Sequence, residues 1–178
     1  MPDEYSRWRN CPEPGTMFFV TTTVLGFVPA LKGPQIRELL LQMLVDDCRF
    51  FGAVLHAYCI MDHHVHLVLQ APLEGTISKF MQGFKARSAK AILPLLESSV
   101  RRQLRDCERD GRALWMRSFR GIPMRSEAVR VACVRYVHLN PVRAGLCVRE
   151  IDYPWSSAWR YEKRRWNEDQ GLLPWMNV

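Results

Sequence analysis

Residues 53–70 read AVLHAYCIMDHHVHLVLQ, and this stretch decides the fold. Residues 53–60 and 64–70 are two short runs of mainly apolar side chains, which is typical of strands buried in a sheet. Asp62 and His63 lie between the two runs, and such a polar pair indicates a turn. The stretch therefore predicts a β-hairpin in the middle of a sheet.

The second strand of this hairpin carries the first candidate site. His64 and His66 lie two residues apart. Because side chains alternate along a strand, the two should project from one face, and His63 should point away from them. Two neighbouring imidazoles on one face can hold one metal ion. Taken alone, the motif fits a chance pair of histidines equally well.

The other elements follow in an order that matches a known supersecondary plan. Hydrophobic periodicity and turn residues predict β-α-β-β-α-β followed by a further helix. This is the ferredoxin-like split βαβ plan, which gives an α+β fold with an antiparallel sheet, helices on one face and a C-terminal helix that carries Tyr136. In chain order, the elements around the hairpin are a strand at 16–25, a helix at 34–50, a helix at 77–96, a strand within 114–124, and a helix at 127–139 that starts at the Ser126 cap and ends at Asn140-Pro141.

The domain organisation is expected to be simple. The chain shows no internal repeat and no linker, so we predict one domain over residues 1–178. Within it, the highly charged segment from about 97 to 113 fits a helix, an insert or a partly mobile loop. A C-terminal extension is expected from about residue 150.

Charge and cysteine usage narrow the class of protein. The 25 Lys and Arg against 18 Asp and Glu give a net charge of +7, which favours a polyanionic partner such as nucleic acid. The six cysteines form no CxxC pair, and several of them lie among apolar residues, as reduced core thiols do. The N-terminus is too polar for a signal peptide, and no stretch is apolar enough to span a bilayer. We expect a soluble cytoplasmic protein with no membrane partner.

A second constellation lies on the last predicted helix. Tyr136 and Asn140 are four residues apart, so they share one helical face. That face can present a phenol and an amide oxygen at one site. A core tyrosine with its hydroxyl at the surface is the more frequent explanation of such a residue.

Together the motifs resemble a known family. His64-Val65-His66 matches the histidine-hydrophobic-histidine signature of the HUH enzymes, and residues 136–146, YVHLNPVRAGL, match the tyrosine helix of one of their groups. Residues 15–21, 78–85 and 153–157 add further matches. The chain resembles the REP-associated tyrosine transposases, within the single-tyrosine, insertion-sequence-200-like HUH transposases. It departs from them at Asp62-His63, where the family usually has Pro-Asn.

The resemblance implies an activity and a set of site residues. It implies a metal-dependent endonuclease and strand transferase that cuts single-stranded DNA at hairpin-associated sites through a 5′-phosphotyrosine intermediate. Tyr136 would be the nucleophile, and Mg²⁺ or Mn²⁺ would be held by His64 and His66 with Asn140 as a third ligand. The partner would be single-stranded or hairpin DNA of the repetitive extragenic palindrome type. We expect a monomer.

Basic side chains provide the candidate DNA contacts. Phosphate neutralisation by Lys and Arg supplies affinity without sequence information. The residues predicted to do this lie in the N-terminal segment and on the helix at 77–96: Arg7, Arg9, Lys79, Lys85, Arg87 and Lys90.

Two other classes of function compete with this one. A (β/α)₈ metal hydrolase can also carry a His-x-His strand, but it needs roughly 250 residues and repeated β-α units, which this chain lacks. A domesticated DNA-binding protein that has lost cleavage would keep the fold and the charge. The retention of His64, His66 and Tyr136 together favours the enzyme over this alternative.

Overall fold

The computed structural model describes residues 14–107 and 113–163. Short 3-10 turns connect several of its helices and strands. The strands are β1 (Met17–Thr23), β2 (Val54–Ile60), β3 (His64–Gln70) and β4 (Arg120–Pro123), and the helices are α1 (Pro34–Phe51), α2 (Ile77–Ile92), α3 (Ser98–Cys107), α4 (Glu127–Arg143) and α5 (Ala158–Lys163).

The four strands form one antiparallel sheet in the order β2-β3-β1-β4. The two central strands, β1 and β3, are therefore distant in sequence and paired in space. Their register places Thr21 opposite His66 and Thr23 opposite His64. The strand order is that of the ferredoxin-like split βαβ plan, so the predicted fold class is confirmed.

Each face of the sheet buries its own hydrophobic cluster. On one face, Val65, Leu67 and Leu69 of β3 pack with side chains of α1 and α2 such as Leu44 and Phe84. On the opposite face, Val68 joins a smaller cluster with α4 and the segment that follows it. The period of two along β3 therefore sends His64 and His66 to the face that carries α4.

The turn between β2 and β3 is fixed from α1. Arg37 forms an ion pair with Asp62, and the Leu31 N–H donates to the Asp62 carbonyl oxygen at 2.9 Å. The Arg37 guanidinium also lies 5.8 Å from the ring centre of Tyr153 and 5.9 Å from that of Trp155. These contacts hold the residue pair that precedes the histidines in one position.

The last long helix extends further than the sequence predicted. The Asn140-Pro141 stop is wrong, because α4 continues through Pro141 to Arg143. Proline removes one helical N–H, but its ring is buried, and the N–H groups of Ala144 and Leu146 bond the carbonyls of Asn140 and Pro141. The predicted Ser126 cap is confirmed, since its hydroxyl accepts from the Val129 N–H.

The charged segment and the last strand also differ in detail from the prediction. Residues 98–107 form helix α3, and the rest of the charged segment up to residue 112 lies outside the described residues. The predicted strand within 114–124 is broken. Trp115 pairs with Val24 in an isolated bridge, and regular pairing resumes only at Arg120.

Burial explains the behaviour of two cysteines. Burial raises the pKa of the Cys48 and Cys59 thiols to about 12, so both are neutral and unreactive at pH 7. They are inert core thiols, as the sequence suggested. Across residues 14–107 and 113–163, no helix has the length and apolar character needed to cross a membrane.

The Arg37–Asp62 pair gives a stability prediction. Replacing Arg37 by Met should lower the free energy of unfolding by about 2 kcal/mol, because the charge-assisted bond is lost and the partly buried Asp62 carboxylate is left unpaired. Arg49→Met, on the same helix, removes an exposed pair and should change stability by less than about 0.5 kcal/mol. Urea unfolding of both variants checks this, and equal effects would contradict it.

Candidate active site

The two strand histidines face each other on the α4 side of the sheet. The ring centres of His64 and His66 lie 4.6 Å apart. His66 is buried, and His64 is partly exposed. The alternation predicted from the sequence therefore brings the two imidazoles to one position.

Burial controls the protonation of this pair. Burial and then the neighbouring His63 lower the pKa of His64 to about 4, against Asp62, which raises it. Burial and then the nearby His64 lower the pKa of His66 to about 3, against a hydrogen bond to Asn140 that raises it. Both imidazoles are neutral at pH 7, which is the form that binds a metal ion.

Strand β1 orients the His66 ring. The Thr21 hydroxyl lies 2.9 Å from His66 Nδ1. When Nδ1 carries the proton and donates it to this oxygen, the Nε2 lone pair is available as a ligand. Phe19, two residues before Thr21, stacks on the same imidazole with ring centres 5.6 Å apart.

The placement predicted for His63 is wrong. Its ring centre lies 4.6 Å from that of His64, and it lines the same cavity as the histidine pair. The reason is that His63 belongs to the turn rather than to the strand, so strand alternation does not govern its direction.

Tyr136 reaches the histidines from α4. Its ring centre lies 5.6 Å from that of His66 and 5.5 Å from that of Phe19, edge-on in both cases. The residue is 40% exposed and lines the cavity beside the histidines. Arg143, two helical turns later, places its guanidinium 5.2 Å from the centre of the Tyr136 ring.

Asn140 completes the group one turn after Tyr136. Its amide nitrogen donates to the Tyr136 carbonyl oxygen at 2.7 Å, and its side chain hydrogen-bonds His66. The structure therefore brings together the four residues predicted for catalysis and metal binding. His64 and His66 come from β3, and Tyr136 and Asn140 come from α4, which packs on that face of the sheet.

These residues border an open cavity of about 840 Å³. Within the described parts of the chain, no carboxylate lines it, and Arg120 lies on its wall. Such a surface accepts an anion. The lining side chains are Phe19, Thr21, Thr23, Phe27, His63, His64, His66, Met116, Ser118, Phe119, Arg120, Gly121, Tyr136 and Asn140.

Protein side chains would provide only some of the ligands that a divalent ion needs at this site. Among residues 14–107 and 113–163, no three His, Cys, Asp or Glu side chains are grouped to hold a metal. Two neutral imidazoles and one amide oxygen fit an open site, in which a substrate oxygen and water fill the remaining positions.

Comparison with known proteins assigns the chain to a family. The family model for IS200-like transposases matches residues 28–140, a segment that contains His64, His66, Tyr136 and Asn140. The chain belongs to the IS200-like transposase family. No curated protein matches it.

One solved structure shows the same fold. A REP-associated tyrosine transposase, determined with a bound REP hairpin, superimposes with a TM-score of 0.69 at 19% identity, over 86% of this chain and 82% of that chain. A candidate transposase from Deinococcus radiodurans gives a TM-score of 0.49 at 22% identity, over 68% of this chain and 87% of that chain. The predicted resemblance is confirmed for the family and the fold.

Lys85, one of the predicted DNA contacts of this IS200-like chain, is hydrogen-bonded within the protein. The Lys85 ammonium donates to three successive carbonyl oxygens, of Met116 at 2.6 Å, Arg117 at 3.0 Å and Ser118 at 3.3 Å. These residues lie in the break before β4. The Met116 N–H still donates to the Thr23 carbonyl oxygen at 2.8 Å, but regular pairing with β1 covers only residues 120–123, and Met116 and Ser118 line the cavity. Lys85 therefore holds one wall of the site.

The other predicted DNA contacts are divided between engaged and exposed side chains. Arg87 pairs with Asp47 at 2.9 Å. Lys79 and Lys90 are exposed on α2, which packs on the sheet face opposite the cavity. Arg7 and Arg9 lie outside the described residues. The structure therefore does not bring Lys79, Arg87 or Lys90 to the histidine pair.

Sequence reasoning missed several residues of the site. Phe19 and Thr21 show a period of two on β1, which could have placed them beside His66 once the strand order was assumed. Arg143 lies seven residues after Tyr136, so the helical period could have placed both on one face. Arg120 carried no signal, because the break that precedes it is not evident in the sequence.

The role of Lys85 can be tested on the folded protein. Lys85→Met leaves three carbonyl oxygens without their donor and should lower the free energy of unfolding by about 2 kcal/mol. Lys90→Met, an exposed position on the same helix, should cost less than about 0.5 kcal/mol. Thermal and urea unfolding check this. If Lys85→Met unfolds like the wild type and only its DNA affinity falls, Lys85 is a DNA contact.

Proposed function

We propose that this protein is a metal-dependent single-stranded DNA endonuclease and strand transferase that forms a 5′-phosphotyrosine bond through Tyr136. The observation that carries the proposal is the 5.6 Å separation of the Tyr136 and His66 ring centres. The two residues come from elements far apart in the chain, and they meet in a cavity that accepts an anion. A tyrosine that served only for packing would not need to lie beside His66 on the wall of such a cavity.

The chemistry assigned to Tyr136 is a balanced exchange of one phosphodiester for another. Its phenolic oxygen bonds to phosphorus, the bond from phosphorus to the 3′ oxygen breaks, and the phenolic proton is replaced in the products by a proton on the 3′ hydroxyl. The phosphotyrosine keeps the energy of the cleaved bond. A second strand's 3′ hydroxyl can reverse the step, so joining needs no nucleotide cofactor.

Mg²⁺ or Mn²⁺ fits the proposal as cofactor, with His64, His66 and Asn140 as the residues that would hold it. A bound divalent ion supplies Lewis-acid polarisation of a non-bridging phosphate oxygen. The chain's own residues prepare the site. Thr21 and Phe19 fix the His66 ring, and burial keeps both imidazoles unprotonated at pH 7.

The remaining described tyrosines are poorly placed for this role. Tyr58 is fully buried. The Tyr153 hydroxyl donates to the Ile60 carbonyl oxygen at 2.9 Å, and the Tyr161 hydroxyl donates to the His56 carbonyl oxygen at 2.6 Å. Tyr136 is the tyrosine on the cavity wall.

The proposed substrate is single-stranded or hairpin DNA. The similar transposase of known structure was determined with a REP hairpin, and the net charge of +7 suits a nucleic acid. Arg120 and Arg143 lie beside the site, where they can contact phosphates next to the cleaved one. We propose that the protein acts as a monomer in the cytoplasm.

The nucleophile can be identified by the covalent product. Wild-type protein incubated with Mn²⁺ and a DNA hairpin with single-stranded flanks, labelled at its 3′ end, should give a labelled protein band on a denaturing gel, because the 5′-phosphotyrosine keeps the 3′ fragment. Tyr136→Phe removes one oxygen, so the fold and DNA binding should survive while the band disappears. Tyr161→Phe, at a position that does not line the cavity of His64 and His66, should keep it. An adduct formed by Tyr136→Phe would move the nucleophile elsewhere, and no adduct from the wild type would favour a domesticated DNA-binding protein.

The histidines can be separated from DNA binding. His66→Ala should reduce cleavage about 100-fold or more, because the Lewis acid contributes several kcal/mol to the transition state. DNA affinity should remain largely unchanged, since basic residues supply it. Gel-shift and cleavage assays on His64→Ala and His66→Ala test this. Normal cleavage by His66→Ala at the same Mn²⁺ concentration would refute the assigned role.

A further inference from the structure

Phe27 stands at the rim of the cavity with its ring turned outward. Its side chain is 62% exposed, and the ring centre lies 5.7 Å from that of His63 in an edge-on contact. Within the described residues, it is the one non-glycine residue with positive φ, at 57°. Left-handed backbone costs a residue with a β-carbon about 1 kcal/mol, so this conformation is held by its surroundings.

The turn that presents Phe27 is anchored from below. Val24 and Val28 on either side are buried, and the Phe27 N–H donates to the Val24 carbonyl oxygen at 3.1 Å. Gly26 has φ 61° and packs so closely on Cys107 of α3 that an added Cβ would lie 2.2 Å from its sulfur. The backbone of this turn is fixed, whereas the aromatic ring of Phe27 is exposed to solvent. The turn therefore holds the ring in an exposed position, and the ring does not contribute to core packing.

The position of the ring indicates what it can bind. Phe27 contacts His63, whose ring adjoins His64 of the candidate metal site. A DNA strand with its phosphate at His64 and His66 would therefore carry a nearby base past Phe27. Unpaired bases stack on exposed aromatic rings whatever their sequence, since each base offers a π face.

We propose that Phe27 is a stacking platform for an unpaired nucleobase next to the cleaved phosphate. The proposal rests on the proposed function for its ligand, a single-stranded DNA. His63 supports the platform from its edge, at a position where this chain departs from the usual family residues. The described tryptophans do not line the cavity, so Phe27 and Phe119 are the aromatic rings there, besides Phe19 and Tyr136, that a base can meet.

The test compares strands that differ only in having bases. Affinity for single-stranded oligothymidylate is measured against an abasic strand of equal length, by fluorescence anisotropy in EDTA, so that no cleavage occurs. Phosphate contacts are the same for both probes and cancel in the ratio. The full-length wild type is compared with Phe27→Leu, Phe27→Trp and the control Phe50→Leu, which removes another exposed ring, on α1.

The wild type should prefer the strand with bases, and Phe27→Leu should lower that preference about fivefold or more. Phe27→Trp should retain the preference, as should Phe50→Leu. An unchanged ratio in Phe27→Leu, or an equal loss in Phe50→Leu, would overturn the platform. The outcome is independent of Tyr136 chemistry. A base preference without any covalent adduct would defeat only the proposed function, and an adduct without the preference would defeat only the platform.

Discussion

The pairing of β1 with β3 is the constraint on which the site depends. It places Thr21 opposite His66, and one side chain then fixes the other through a 2.9 Å contact. A shift of one residue in this register would turn both histidines into the hydrophobic cluster formed with α1 and α2. The fully buried Val65, Leu67 and Leu69 oppose such a shift, because it would expose them. Core packing therefore maintains the relative positions of Thr21 and His66, two polar residues that belong to neither hydrophobic cluster.

The second half of the site comes from a different layer. Helix α4 packs on the histidine face through Val137, and the same packing presents Tyr136 to the cavity. Pro141 lies inside this helix, where it removes one backbone hydrogen bond but leaves the helical path intact. As a result, Tyr136, Asn140 and Arg143 remain on one continuous surface beside His66. The family assignment, the fold and this convergence support one another without depending on any single motif.

The sequence predicts the elements that rest on periodicity and little of what rests on irregular backbone. The period of two found β3 and the face shared by His64 and His66, and the helical period paired Tyr136 with Asn140. The direction of His63 could not be predicted, since it lies in a turn. The end of α4 was missed because burial of the Pro141 ring compensates for the lost bond. The sequence predicts Lys85 as a surface cation. Its ammonium instead bonds carbonyl oxygens of the strand break, and the sequence gives no sign of that break.

Lys85, whose ammonium bonds the carbonyl oxygens of this break, also affects which substitutions the cavity wall can tolerate. Residues 117–119 have no neighbouring strand to match, since a side chain from α2 satisfies the carbonyls around them. Their own side chains are therefore free of the alternation that a paired strand imposes. Arg117 and Ser118 are exposed, so size and charge at these two positions can vary while the sheet, the histidine pair and α4 stay as they are. Phe119 packs against the core and is held to an apolar side chain. A cavity wall of this kind can acquire a new ligand specificity at little risk to the fold.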